Sequence, residues 1–145
     1  MIGLLQRVTQ GRVVIDGHCQ AEIGQGLVVL VGVQRADDEY KADRLLQRLL
    51  GYRVFPDPDG RMNLGLQEIG GGLLLVPQFT LAADTRKGMR PGFSTAADPE
   101  TGRKLFTYLT RQAEQLHQPV GCGVFGADMQ VELINDGPVT FWLET

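Results

Sequence analysis

The stretch "PQFTL", residues 77–81, places a proline, an amide and a hydroxyl at the end of an apolar run. Proline has no N–H to give to a strand ladder, so Pro77 marks an edge strand or a bulge. A bulged strand end leaves backbone N–H groups near Phe79 and Thr80 unpaired and directed outward, which are the donors an oxyanion needs. An edge strand with nothing to bind is the other reading, and the residues alone leave both open. "NDGP", 135–138, poses the same choice. It reads either as a hairpin turn between two strands or as part of a site, with Thr140 opening the apolar stretch behind it. The third feature is basic. "TRKGMRPGF", 85–93, sets Arg86, Lys87 and Arg90 on a long loop directly after "PQFTL". Such a cluster is a solvated face or a contact for phosphates.

Other chemistries lack their residues. His18 and His117 are the only histidines, and neither has neighbours suited to a triad or a zinc site. Cys19 and Cys122 stand about a hundred positions apart in no metal-like spacing, so they read as reduced structural thiols. No metal and no cofactor are expected.

These stretches need a scaffold, and the pattern supplies one. "MIGLLQRV" and "GRVVI" read as short strands, with Asp16-Gly17 as a hairpin signal before "HCQAEI". "GLVVLVGV" (26–33) is a continuous apolar run typical of a fully buried strand. "ADDEYKADRLLQRLLG" predicts a helix capped by Asp37 or Asp38, with Ala42, Leu45, Leu46, Leu49 and Leu50 on one face. "YRVF" reads as a strand before the turn "PDPDG", and "GGLLLVPQFTL" (71–81) as another buried strand. A second helix opens at Asp98 and Pro99, with Leu105, Phe106, Leu109 and Leu116 as its buried stripe. "GCGVFG", "DMQVELI" and "VTFWLE" close the chain as three strands. The expected class is α+β: an antiparallel or mixed sheet closing towards a barrel, with two main helices.

The 145 residues fit one domain, 1–145, without repeats or linkers. No apolar run is long enough for a membrane span, and the start reads as a first strand, so a cytoplasmic protein is expected. Fourteen basic against 17 acidic residues give a net charge of −3, which argues against indiscriminate nucleic-acid binding but allows a local basic patch.

"PQFTLAAD", "GMRP", "ADMQV" and "NDGPVTFW", in that order, with "GYRVF", "RMNL" and the opening "QRV", resemble the signature stretches of the D-aminoacyl-tRNA deacylases. The likeness runs collinearly over the whole chain. It implies a homodimer that hydrolyses the ester between a D-amino acid and the terminal adenosine of tRNA, with no membrane involved. The resemblance further implies that Gln78, Phe79 and Thr80 form the reaction pocket. Gly137 and Pro138, joined by a cis bond, would enter the partner's pocket as a wall that excludes L-residues. Phe125 and Met129 match adenine-holding positions, and Arg7 matches the arginine that steadies the Gly-Pro pair. One position departs from the family pattern: Pro77 stands where the commoner motif has serine, so no hydroxyl acts there.

An aminoacyl ester is already activated, so the site must chiefly position water and stabilise an oxyanion. Thr80 as a nucleophile would lack an activating base. The preferred scheme has the vicinal ribose hydroxyl of the substrate assist water. A purely steric wall cannot reject glycine, so glycyl-tRNA should also be hydrolysed. The rival readings are a non-catalytic tRNA-binding or editing-associated β-domain, and a small dimeric structural protein.

Overall fold

The computed structural model describes all 145 residues, and no helix in it is long and apolar enough to cross a membrane. Its spine is β1 (Ile2–Ile15), one 14-residue strand where two short ones were expected. Gly11 does not break it, because antiparallel partners bind both of its edges. Along one edge β2 (His18–Ile23) pairs with Gly11–Ile15, and β3 (Gly26–Gly32) pairs with Ile2–Val8. The Asp16-Gly17 hairpin is as expected, with both residues at positive φ. Along the other edge runs β8 (Gln130–Glu144), pairing from Ile2↔Glu144 to Val14↔Gln130.

The sheet continues from β3 through parallel β6 (Gly72–Pro77) to parallel β7 (Val120–Cys122). It curls so far that Gly121 of β7 lies against β2, where a Cβ on it would sit 3.1 Å from Ala21 Cβ. The result is a nearly closed, barrel-like sheet. A two-residue strand β4 (Phe55–Pro56) forms a separate small ribbon with β5 (Met62–Leu64).

Curling explains the uninterrupted apolar runs. Leu27, Val29, Val31, Leu73 and Leu75 face the helices, whereas Val28, Leu74 and Val76 face the inside of the curl with Val8, Val13 and Ile23. Both faces of β3 and β6 are therefore buried, and neither strand needs polar alternation. The helical layer is α1 (Glu39–Gly51) and α3 (Pro99–Leu116), with a single turn α2 (Leu66–Ile69) that the sequence reading did not anticipate. Asp38 caps α1 through Lys41 N, and the five stripe residues of α1 are all buried. Each such side chain contributes about 1.5–3 kcal/mol by leaving water. Asp98 caps α3, accepting from Glu100 N and Thr101 N, both at 3.0 Å. Leu105, Phe106 and Leu109 are buried as expected, but Leu116 is 60% exposed, because the last turn of α3 has run past the core.

Three further expectations are corrected. "QFTL" leaves the strand and forms a 3₁₀ turn, Phe79–Ala82. "GVFG" is a turn beyond β7, not part of a strand. "DMQVELI" and "VTFWLE" are two parts of the single strand β8, and "NDGP" reverses nothing.

A buried ion pair closes the end of the sheet. The α-ammonium of Met1 lies 2.6 Å from Asp37 Oδ1, both groups fully buried, and donates to Thr145 O at 2.7 Å. The other Asp37 oxygen accepts from Gln34 N at 2.6 Å. Removing one partner of a buried pair strands the other charge, at a cost of about 3–5 kcal/mol. Asp37→Ala is expected to lose about that much stability in a denaturant titration, with the slope unchanged.

Candidate active site

Pro77 is not on an edge strand. β6 lies between β3 and β7, yet β7 pairs only with Leu73–Leu75, so Pro77 outruns its neighbour on that side. Gln78 N donates towards β3, to Val31 O at 2.7 Å. Strand alternation therefore aims the nitrogen of residue 77 at the side where no strand remains, and proline costs no ladder bond there.

The chain then tightens into the 3₁₀ turn. Its first backbone bonds run from Leu81 N to Gln78 O (3.2 Å) and from Ala83 N to Thr80 O (3.1 Å). The N–H groups of Phe79 and Thr80 precede the first bond and have no backbone acceptor, as the first donors of any helix do not. The Gln78 amide donates to Thr80 Oγ1, which fixes both side chains. Thr80 and Phe79 are exposed, and the Phe79 ring packs 5.1 Å from that of Phe93. No histidine comes near. His117 is buried and donates to Gly71 O, while His18 is exposed and bonded to Asp16 O.

Beside the turn lies an apolar cavity of about 220 Å³. Pro77 and Phe79 form one wall, Val31, Val33 and Phe106 the floor, and Phe125 the far side. Phe125 packs on α3 at Gly102, where a Cβ would lie 3.1 Å from the ring, so the helix supplies a glycine where the aromatic needs room. Met129 packs behind the wall against Gly123, and its sulfur accepts from Val124 N at 3.3 Å. The cavity opens where the parallel strands β3 and β6 end, the usual position for ligands of such sheets.

The "NDGP" stretch is a bulge, not a hairpin. Gln6 pairs with Thr140 and Val8 with Asn135, so four residues of β8 (136–139) face Arg7 alone. Asn135 staples the bulge shut: its Oδ1 accepts from Val139 N at 3.0 Å and its Nδ2 donates to Val139 O at 3.2 Å. Arg7 holds the other side, with Nε donating to Asp136 O at 2.9 Å and Nη1 to Val54 O at 2.6 Å. Gly137 is required sterically, since a Cβ there would meet Val139 N at 2.2 Å. The Gly137–Pro138 bond is cis, as is Gln118–Pro119, and both Gly137 and Pro138 are exposed.

Within the chain the two motifs do not meet. The 3₁₀ turn sits by Gly32, the partner of Ile2, whereas the bulge sits by Arg7, five residues or about 17 Å further along β1. The basic residues do gather: Arg86, Lys87 and Arg90 share an open concavity of about 430 Å³ with Asp84. Backbone bonds between Asp84 and Gly92 close the loop at its base (2.7 and 3.0 Å). Arg86 is spent internally, because its guanidinium bonds both oxygens of Asp84 and holds that carboxyl well below the usual carboxylate range. Lys87 and Arg90 make no ion pair. Another concavity, about 700 Å³ beside the Arg12–Glu132 pair, contains none of these residues.

Sequence reasoning missed Asn135, which it took for a turn former, and Gly102, whose role depends on a contact between distant segments. It also missed the Val54 carbonyl, which has no sequence signal at all.

The family model for D-Tyr-tRNA(Tyr) deacylase matches residues 4–144. A D-aminoacyl-tRNA deacylase from Alkalilimnicola ehrlichii is 64% identical over 99% of this chain and 96% of its own. One from Stutzerimonas stutzeri is 59% identical over all of both. Among solved structures, a protein titled c-Myc DNA Unwinding Element Binding Protein superposes with a TM-score of 0.95 at 33% identity, covering 100% of this chain and 99% of the other. The fold and these matches define a hydrolase that acts on aminoacyl-tRNA. The chain belongs to the D-aminoacyl-tRNA deacylase family.

Asn135→Ala removes both staples of the bulge, each worth about 0.5–1.5 kcal/mol. It is expected to lower stability by about 1–3 kcal/mol and to speed amide exchange at Val139 while leaving the middle of β1 protected, as hydrogen-exchange mass spectrometry would read.

Proposed function

We propose that this protein hydrolyses the ester of D-aminoacyl-tRNA, releasing free tRNA and the D-amino acid, and so removes wrong-handed residues before translation uses them. The observation that carries the reading is the pair of free N–H groups at Phe79 and Thr80 opening beside the apolar cavity. The cavity takes the terminal adenine against Phe125, with Met129 supporting its wall. The carbonyl oxygen then lies at the two N–H donors, which stabilise the tetrahedral oxyanion as charge develops on it. Thr80 has no base to activate it: its oxygen accepts from Gln78, and the carboxylate of Asp84 is committed to Arg86. The vicinal ribose hydroxyl of the substrate therefore assists the attacking water.

Selectivity rests on Gly137 and Pro138, whose main chain is clamped by Arg7 and Asn135 into a stiff protrusion. Set against the α-carbon, such a wall clashes with the Cβ of an L-residue and spares a D-residue or glycine. The protrusion lies too far from the 3₁₀ turn of its own chain to serve it, which supports a homodimer with each wall lent to the other subunit. The exposed edge of β8 supports the same assembly. It is a 15-residue strand with no outer partner, flanked by Ile134, Phe141 and Trp142 with their rings or side chains in solvent. Long apolar edges of this kind are covered in stable proteins. The cytoplasm, where translation runs, is the place of action.

Purified protein given matched D- and L-tyrosyl-tRNA is expected to deacylate the D-form and leave the L-form intact, with glycyl-tRNA hydrolysed as well. Thr80→Ala should keep kcat within about tenfold, a barrier change of at most about 1.4 kcal/mol. A near-complete loss with folding and binding intact would sink the ribose-assisted scheme. Binding of tRNA without turnover would favour the non-catalytic reading.

Lys87 and Arg90 are the free charges of the basic loop and contact acceptor-end phosphates. Replacing both by glutamine should reduce the slope of log KM against log salt by about 0.7 per lost contact, as for single strands. Arg86→Gln should change that slope less. An unchanged slope in the double variant would place the tRNA elsewhere.

A further inference from the structure

We propose that Arg103 is a further substrate-binding residue, which holds the phosphodiester next to the terminal nucleoside. The inference rests on the adenine reading of the apolar cavity and extends it to a residue that neither the sequence motifs nor the basic loop includes. Arg103 follows Gly102, the residue on which Phe125 packs, and its guanidinium lies over the Phe125 ring with Cζ 5.1 Å from the centroid. Its Nη2 reaches towards Gly126, 3.6 Å from where a Cβ would stand, and Gly126 itself lines the cavity. The arginine is therefore placed beside the cavity, next to two of its lining residues, Phe125 and Gly126.

The charge of Arg103 is available. It forms no ion pair and no hydrogen bond within the chain, whereas Arg7, Arg12 and Arg86 each bind a carboxylate. Asp98, the nearest acidic lining residue of the cavity, already accepts two backbone N–H groups as the cap of α3. Lys104, one residue on, turns into a different groove with Asp37, Asp38 and Glu39, where a phosphate would be repelled. The Phe125 contact steadies the guanidinium, since an arginine held over an aromatic ring keeps N–H groups free to donate. A base lodged against the inner face of Phe125 carries its 5′ phosphate one ribose away, at the rim. A planar fork of donors there suits a phosphate oxygen pair.

The test uses two substrates that share the aminoacylated terminal nucleoside: D-tyrosyl-tRNA, which carries the 5′ phosphodiester and the rest of the polynucleotide, and D-tyrosyl-adenosine, which has no phosphate. With the intact protein, Arg103→Gln is expected to raise KM for D-tyrosyl-tRNA about fivefold. The same change should leave kcat unaltered and flatten the salt slope of KM by about 0.7, one phosphate contact on a single strand. Turnover of D-tyrosyl-adenosine should not change, and Arg103→Lys should restore most of the salt slope. Equal losses on both substrates would overturn the proposal, because they would mean that Arg103 acts only by steadying Phe125. No change on either substrate would overturn it as well. If the unaltered protein fails to hydrolyse D-tyrosyl-tRNA at all, the deacylase reading itself falls, an outcome distinct from both.

Discussion

Strand β1 is hydrogen-bonded along both edges over almost its whole length, and the placement of both site motifs follows from that double commitment. One edge carries β2 and β3 in succession and fixes where β3, and hence parallel β6, must end. The other edge carries β8 and fixes where four residues must bulge out opposite one. Arg7, near the middle of β1, pairs with Leu27 of β3 but has no ladder partner on β8, and its side chain bonds the bulge there instead. The 3₁₀ turn and the bulge are thus two consequences of one register, displaced from each other along a common strand.

Much of this could be read from residue patterns because it depends on neighbours in sequence. The stripes of α1 and α3, the caps Asp38 and Asp98 and the Asp16-Gly17 hairpin are local, and they came out as the periodicity and turn chemistry require. The errors have a common origin in partners far along the chain. Gly11 looked like a strand end until its pairing on both sides is seen. "NDGP" has every mark of a hairpin, and only the shared partner β1 reveals that both flanks run in the same direction. Pro77 looked like an edge residue because the early end of β7 cannot be inferred from the β6 sequence. Leu116 keeps the helical period but extends past the layer that would bury it.

The site residues divide in the same way. Gln78, Phe79 and Thr80 are contiguous, so their joint placement was legible. That Phe125 and Phe79 line one cavity depends on α3 offering a glycine where Phe125 packs. For the basic loop, sequence gave three equivalent cations, and the structure makes them unequal by pairing one with Asp84.

The floor of the apolar cavity has a role besides shape. Val31, Val33 and Phe106 line it, and the same three belong to the main core between the sheet and the helices. The site is therefore not an appendage on a finished fold: an occupant completes the packing of the layer that holds α3 on the sheet. Occupancy and cohesion are linked quantities here. Whatever fills the cavity draws the population towards the closed native state in proportion to its concentration over its dissociation constant, so the protein is most firmly folded while it is holding substrate.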